Sequence, residues 1–170
     1  TLGDRVVVMS DGEIQQAASP LTVYNTPTNR FVAAFVGTPP MNFFEGRITE
    51  EGGRKHFEGE GIKVPLDDWF SQAADHAAAR EVTLGLRPDG LYLHPGQYAR
   101  EDMHMDVTIG VTEPLGSNMD LFAFTGTDKR LVARVVAEPI EMDSKAKLYV
   151  DPGKMHLFDA GEYGVRLTAD

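Results

Sequence analysis

This 170-residue chain contains no cysteine, and its longest apolar run is far shorter than a membrane span. Without cysteine the chain can form neither a disulfide nor a thiolate nucleophile. A disulfide-free chain fits a reducing compartment. A membrane-spanning helix needs about 20 consecutive apolar residues. We therefore expect the chain to associate with a membrane only through partner proteins.

Basic residues are also scarce. The sequence has 16 lysines and arginines against 26 acidic residues, which gives a formal net charge of −10. Residues 1–40 contain two basic and three acidic residues, so residues 41–170 carry 14 − 23 = −9. Phosphate backbones and anionic lipid headgroups bind to basic surfaces. This composition therefore argues against nucleic acid and against a lipid surface as partners.

Motifs for phosphate and metal chemistry are missing as well. The phosphate-cradling pattern G-x-x-x-x-G-K-[ST] does not occur, so we predict that the chain neither binds nor hydrolyses ATP. No two histidines have the short spacing of common zinc motifs, which makes a metal site a weak prediction. His104 and Asp106 alternate on a predicted strand and should share one face, which suggests a local hydrogen bond rather than catalysis. The histidines are His56, His76, His94, His104 and His156.

The first 40 residues predict a hairpin and two short helices. Apolar runs at 6–9 and 13–18 flank a Ser-Asp-Gly turn, which is typical of a tight hairpin. The Ser-Pro pair at 19–20 favours a helix start, and that helix should end near Asn25. A second helix is predicted over 28–36, before a Gly and a Pro-Pro pair. A lone hairpin is marginally stable in water, so we expect the chain to be a fragment that continues another domain.

From residue 41 onward, short β-type runs alternate with turn residues. This spacing predicts a mainly β fold, either a sandwich or small barrels. One interruption, Asp67 to Arg80, has the apolar periodicity of a helix, with an acidic pair at its N-terminus. The predicted strands cover 42–48, 54–58, 61–65, 81–87, 90–94, 104–113, 119–126, 130–137 and 146–150.

Four segments, in this order, resemble the ATPase subunits of ABC importers for sugars and glycerol phosphate, of the maltose-importer type. The first resembles the junction between the nucleotide-binding domain and a C-terminal regulatory domain. The other three resemble parts of that regulatory domain. The segments are DRVVVMSDGEIQQAASPLTVYNTPTNRFVAAFVGTPPMNFFEGRI (4–48), GLRPDGL (85–91), VTEPLGSNMDLFAF (111–124) and HLFDAGEYGVRL (156–167).

The resemblance implies both a domain organisation and a function. Residues 1–40 would be the C-terminal end of the nucleotide-binding domain. Residues 41–170 would be a TOBE or OB-like regulatory domain with two OB-like barrels interleaved in sequence. The parent would be a homodimer that uses ATP and Mg²⁺ and binds membrane-spanning permease subunits at the cytoplasmic side of the inner membrane. Its catalytic motifs would lie upstream, so no catalytic, cofactor or metal residue is expected here.

The resemblance also implies roles in dimerisation and regulation, with a regulatory protein as a further partner. Arg87 should emerge at a barrel rim, where it either braces neighbouring carbonyls or pairs with an acid, or else helps to form a contact surface or a polar pocket between modules. Phe158 should face outward or toward the other module. Two alternatives remain open. One is a module that binds a small ligand, such as a sugar or oxyanion, between its barrels, and the other, less favoured, is an OB domain that binds nucleic acid. The candidate contact residues are Arg87, Asp89, Glu113, Gly116, Asn118, His156, Phe158 and Asp159.

Overall fold

The structure is a computed structural model that describes residues 3–66, 70 and 81–167. Within these residues the chain is mainly β, with two short helices, α1 (Pro20–Asn25) and α2 (Arg30–Phe35). The predicted helix over 67–80 lies outside the described residues, except for Phe70, which is buried. The strands are β1 (Val6–Ser10), β2 (Glu13–Ala18), β3 (Asn42–Glu51), β4 (Arg54–Gly59), β5 (Ile62–Pro65), β6 (Glu81–Leu86), β7 (Leu91–Tyr92), β8 (His104–Pro114), β9 (Asn118–Phe124), β10 (Arg130–Val136), β11 (Lys145–Val150) and β12 (Met155–Asp159).

The N-terminal segment matches its predicted elements closely. β1 and β2 form an antiparallel hairpin whose turn places Asp11 and Gly12 at positive φ, 51° and 84°. The Ser19 hydroxyl accepts a hydrogen bond from the backbone amide of Thr22 and thereby caps α1. The side chain of Asn29 caps α2 in the same way, so α2 begins two residues later than predicted. Both helices therefore start at residues that replace missing intrahelical bonds.

The remaining strands form two antiparallel five-stranded sheets, with the orders β12-β6-β3-β4-β5 and β10-β9-β8-β11-β7. The first sheet contains β3 to β6 and also β12, whereas the second contains β7 to β11. In sequence, the strands of the second sheet therefore lie between those of the first. The edge strands β7 and β10 of the second sheet also lie next to each other, which nearly closes that sheet. The expected mainly β, OB-like and sequence-interleaved architecture is confirmed.

Both sheets contribute to one hydrophobic core. The inward face of the first sheet supplies residues such as Phe44 and Phe57, and the second supplies residues such as Ile109 and Leu121. β5 of the first sheet also lies against β8 of the second. The pairing register of β8 with β9 shifts between Ile109 and Thr112. Such β-bulges bend a strand locally. The two sheets are therefore packed on each other rather than connected only by chain.

Candidate functional site

Arg87 lies where the N-terminal helices meet the first sheet. It directly follows β6 and has the extended backbone, φ −66° and ψ 137°, that a following proline favours. Its Nη1 donates to the carbonyl of Val36 at 2.6 Å and to that of Ala33 at 3.4 Å, and its Nη2 donates to the carbonyl of Tyr24 at 2.5 Å. One guanidinium group therefore binds the C-terminal ends of both α1 and α2.

The surroundings of Arg87 explain why this position holds an arginine. The last carbonyls of a helix have no intrahelical donors and carry partial negative charge. The guanidinium also lies 4.0 Å from the centre of the Tyr24 ring, which adds a cation–π contact. Burial lowers the pKa of Arg87, against the opposing effect of Tyr24 and Asp89. Only 2% of the residue is exposed, so the carbonyl-bracing alternative is confirmed and Arg87 offers no surface to a partner.

Asp89 anchors the turn that follows Arg87. Its carboxylate accepts hydrogen bonds from the hydroxyl of Tyr24 at 3.0 Å and from the ammonium of Lys154 at 2.7 Å. Burial raises the pKa of the carboxyl, but the hydrogen bonds from Lys154 and Tyr24 outweigh it, so the net shift is downward. No sequence pattern pointed to Lys154, which precedes β12 and reaches Asp89 only through the pairing of β12 with β6. Asp89 thus links α1, the β6 end and β12.

His156 and Phe158 lie on β12 beside β6. Burial, together with the nearby positive charges of Arg87 and Arg166, lowers the pKa of His156 to about 3. Phe158 points away from the main core but is fully buried, in a small cluster with Ala33 and Met41.

The expectation that Phe158 could be a surface contact is therefore wrong for this chain, because α2 and the segment after it cover the ring. Asp159, the other candidate contact residue on this strand, lies at the last position of β12. Its backbone amide donates to the carbonyl of Val165 at 2.9 Å. Four of the candidates, Arg87, Asp89, His156 and Phe158, thus belong to the contact between the N-terminal helices and the first sheet.

Glu113, Gly116 and Asn118 belong to the β8–β9 turn of the second sheet, and all three are exposed. Gly116 has φ +95°, a conformation that side chains other than glycine rarely adopt. The backbone amide of Leu115 donates to the carbonyl of Asn118, and Asn118 faces Val136 on β10. Leu115 is 54% and Val136 71% exposed. An exposed leucine in the turn and an exposed valine at the end of the neighbouring strand β10 are therefore two apolar surface residues that sequence reasoning did not single out.

A polar cleft of about 560 Å³ lies between the sheets, lined by the β4–β5 turn and the start of β8. The predicted shared face of His104 and Asp106 is confirmed, since the ammonium of Lys147 lies 2.6 Å from His104 Nε2 and 3.2 Å from an Asp106 carboxylate oxygen. His104 Nδ1 lies 3.0 Å from the carbonyl of Glu101. That nitrogen is therefore the donor, and Nε2 accepts from Lys147.

Neither a metal cluster nor a membrane helix is found in the part of the chain that the structure describes. In residues 3–66, 70 and 81–167, no group of three or more histidine, cysteine or acidic side chains could hold a metal ion. In the same residues no helix has the length and apolar character needed to cross a bilayer.

Comparison with known protein families identifies the first sheet. Residues 37–91, which contain β3 to β6, match the model of the MalK OB fold domain. Residues 37–91 thus resemble a MalK OB fold domain. The OB-like fold expected from the sequence is thereby confirmed for the region that contains Arg87 and Asp89.

Curated relatives match almost the whole chain. The osmoprotective compounds uptake ATP-binding protein GgtA of Synechocystis is 36% identical over 163 residues, which cover 94% of this chain and 43% of that protein. The sn-glycerol-3-phosphate import ATP-binding protein UgpC of Vibrio vulnificus is 33% identical over 172 residues, 99% of this chain and 43% of that protein. The sulfoquinovosyl glycerol transport ATP-binding protein SmoE of Agrobacterium fabrum is 36% identical, with coverages of 94% and 43%.

The resemblance to ATP-binding subunits of ABC importers is thus confirmed, while the chain spans less than half the length of these relatives. Among solved structures, the cytoplasmic molybdate-binding protein ModG with molybdate bound matches with a TM-score of 0.51. It is 14% identical, and the match covers 70% of this chain and 96% of that one. At this level of identity the likeness concerns the fold alone.

Proposed function

We propose that this chain is the regulatory and dimerisation part of an ATP-binding subunit that powers the import of a sugar, polyol or glycerol phosphate. The observation that carries the proposal is the match of 94–99% of the chain to ATP-binding subunits of such importers. In the parent, ATP and Mg²⁺ would bind outside this chain, and permease subunits would hold the complex at the inner membrane. We place the boundary with the nucleotide-binding domain after residue 40.

The geometry supports a role in transmitting movement between the two parts. Arg87 binds carbonyls at the ends of both N-terminal helices, and Asp89 binds Tyr24 of α1 while it also binds Lys154. A displacement of these helices would therefore have to move the end of β6 as well. A fixed contact between two copies of the regulatory part would in turn make closure of two ATP sites an intramolecular event.

The remaining surface candidates for the contact between copies are Glu113, Gly116 and Asn118, together with the exposed apolar residues Leu115 and Val136. Two-fold symmetry is the commonest arrangement of homo-oligomers. Each copy carries a net charge of −10, so repulsion should weaken the dimer at low ionic strength and salt should relieve it.

Sedimentation velocity of the chain over a concentration series tests the dimer. We expect a reversible monomer–dimer equilibrium that strengthens with moderate salt, and we expect Leu115→Asp and Val136→Asp to shift it toward monomer. Leu21→Asp, at a residue on α1 that is 74% exposed, is the matched control and should leave the equilibrium unchanged. A chain that stays monomeric at every concentration would contradict the dimerisation role.

Uptake measurements test the importer role. In cells whose own gene for the full protein carries Arg87→Met, uptake of the transported sugar, polyol or glycerol phosphate should fall. The control substitution Arg130→Met, at an exposed residue on β10, should leave uptake close to the wild-type rate. Calorimetry with ATP on the 170-residue chain should show no binding, and micromolar affinity would contradict the placement of ATP outside it.

A further inference from the structure

The polar cleft between the sheets continues into a second, smaller depression of about 150 Å³. The two share Gly61 and Asp106, so they form one continuous groove along β8. The larger part, about 560 Å³, falls in the range of small-molecule sites, which is about 300–1,000 Å³. The smaller part ends at Phe124 and Lys145. We call the whole groove the β8 cleft.

The wall opposite β8 is held firmly in place. The carboxylate of Glu60 accepts from the backbone amide of Glu45 at 2.7 Å and from the ammonium of Lys129 at 2.9 Å. The hydroxyl of Thr125 donates to the backbone carbonyl of Glu60 at 2.6 Å. Gly61 packs so closely that a Cβ would lie 2.6 Å from the backbone nitrogen of Thr127. These contacts tie the β4–β5 turn to the second sheet and pre-form the cleft, which reduces the cost of binding.

Charges around the β8 cleft balance. Lys63 pairs with Glu51, Lys129 with Glu60 and Lys147 with Asp106. One carboxylate, Glu58, and one ammonium group, Lys145, complete the set, so four acids face four lysines. Together they are Glu51, Glu58, Glu60, Asp106, Lys63, Lys129, Lys145 and Lys147. A cleft with no excess of either sign gives no net attraction to an anion or a cation.

Hydrogen-bond acceptors and donors in the β8 cleft remain available to a ligand. Asp106 has a side chain that is 84% exposed and receives one hydrogen bond from Lys147. The ammonium of Lys145 donates to the hydroxyl of Thr108 at 2.7 Å, which leaves two further donors. Glu58 also lines the cleft, and its carboxylate oxygens are hydrogen-bond acceptors. Such a mixture of acceptors and donors matches hydroxyl groups, each of which both donates and accepts.

An aromatic ring borders the same cleft. Phe124 is 36% exposed, and a Cβ on Gly110 would lie 2.8 Å from its ring, so only glycine lets the ring rest on β8 in this position. The face of an aromatic ring carries partial negative charge and attracts partially positive hydrogens. The C–H groups on one face of a sugar ring present such hydrogens. Phe124 therefore supplies an apolar platform beside the polar groups.

We propose that the β8 cleft binds a neutral polyhydroxy ligand, a monosaccharide or polyol, with Asp106, Glu58 and Lys145 binding its hydroxyl groups and Phe124 packing against its carbon skeleton. This site goes beyond the dimerisation and regulatory role proposed above. It is also independent of that role, because binding is measured on the chain itself and does not require a dimer.

Titration followed by two-dimensional amide NMR tests the proposal. The ¹⁵N-labelled chain is titrated separately with D-glucose, maltose, glycerol, sodium sulfate and sodium phosphate at constant ionic strength. We expect saturable shifts with at least one of the three neutral compounds, concentrated in residues 58–63, 104–108 and 124–126. Sulfate and phosphate should give no saturable shift there. Absence of saturable shifts with all three neutral compounds, or stronger shifts in the cleft with either anion, would overturn the proposal.

Variants locate the site. Asp106→Asn and Phe124→Ala should each weaken binding about tenfold, the factor expected from the loss of one good contact. Glu141→Gln and Phe35→Ala remove an exposed acid and an exposed aromatic ring outside the cleft and should leave the affinity unchanged. If Phe124→Ala does not fold, the affinities of Glu58→Gln and Asp106→Asn for the ligand decide the test. Unchanged affinity in both of these variants would also overturn the proposal.

Discussion

At the scale of single residues, the most distinctive feature is a buried arginine that binds backbone carbonyls and, among the described residues, no carboxylate. Arg87 is held by three backbone carbonyls and the ring of Tyr24, while its Nε has no hydrogen-bond partner. The partial negative charges of several carbonyl oxygens thus take the place of the carboxylate that commonly pairs with a buried arginine. This is possible because α1 and α2 end near the same point. Strand β6 and the extended backbone of Arg87 before its proline could be predicted from the sequence. The partners could not, because they come from residues about 50 to 60 positions earlier.

Arg87→Met should destabilise the chain by about 3 kcal/mol, because it leaves buried carbonyls of α1 and α2 without donors. Urea unfolding measures the loss. Arg87→Lys should recover only part of it, since an ammonium cannot reproduce the planar fork that spans both helix ends. Arg130→Met is the control, because Arg130 also lies over an aromatic ring, Phe122 at 4.6 Å, but is exposed. Equal losses at the two arginines would contradict this account of Arg87.

His156 should make the fold sensitive to acid. Its pKa is about 3 in the folded chain, below the value of about 6.5 in an unfolded one. The unfolded chain therefore binds the proton first, and stability is lost as the pH falls from about 6.5 toward about 3. At pH 4.5 the loss due to this histidine should be about 3 kcal/mol relative to pH 7.

His156→Gln provides the comparison for that pH dependence, because glutamine stays neutral at every pH. Urea unfolding of both proteins at pH 7 and pH 4.5 should show a smaller difference between the two pH values in the variant. Carboxylates such as Asp89 titrate in both proteins, so their contribution cancels in the comparison. The same pH dependence in both proteins would rule out His156 as its source.

At the scale of elements, β3 and β4 approach each other through two glycines. A Cβ on Gly59 would lie 2.1 Å from the backbone carbonyl oxygen of Glu45, and one on Gly46 would lie 2.4 Å from that of Glu58. Backbone atoms on both sides leave no flexible side chain that could move away. The positions of β3 and β4 were predictable from the alternating pattern and the turn residues. Which of the 17 glycines permits a close approach depends on how the strands cross in space.

Gly59→Ala should therefore cost about 2–3 kcal/mol of unfolding free energy, as expected for overpacking against a rigid neighbour. Gly96→Ala is the matched control, since a Cβ there meets nothing within 4 Å, and it should change stability by less than about 0.5 kcal/mol. Thermal or urea unfolding of the two variants side by side gives the comparison. A neutral Gly59→Ala would show that β3 and β4 can separate without cost.

At the scale of the whole molecule, the described residues form one large core and two small clusters. The large core joins the two five-stranded sheets, while the N-terminal hairpin and helices pack around Val8, Val23 and Val32. Phe35 on α2 remains 71% exposed. Arg87, Asp89 and the cluster around Phe158 help to fix the N-terminal segment to the sheets, together with the Arg30–Glu45 ion pair and the backbone bridge between Asn29 and Val165.

Amide hydrogen exchange should therefore be faster in residues 3–36 than in residues 81–150, because a small cluster opens at a lower free energy than a core shared by two sheets. Mass spectrometry of peptides from the exchanged chain resolves the two regions. In Arg87→Met the difference should widen, since the bonds that fix α1 and α2 are gone. Uniform protection along the chain would mean that the N-terminal segment unfolds only with the sheets.

The sequence by itself determined the elements and the family. Alternation, turn glycines and helix caps are local signals, so the hairpin, both helices and strands β3 to β11 lie close to their predicted positions, while β12 was not among the predicted strands. The ordered motifs identify the ATP-binding subunits to which the chain is related. Only the tertiary structure decided what each candidate residue contacts. Arg87 and Phe158 are buried and Lys154 reaches Asp89, because β12 pairs with β6 and the N-terminal helices cover that pair. The β8 cleft likewise exists only because residues 58–63 and 104–108, far apart in the chain, face each other between the sheets.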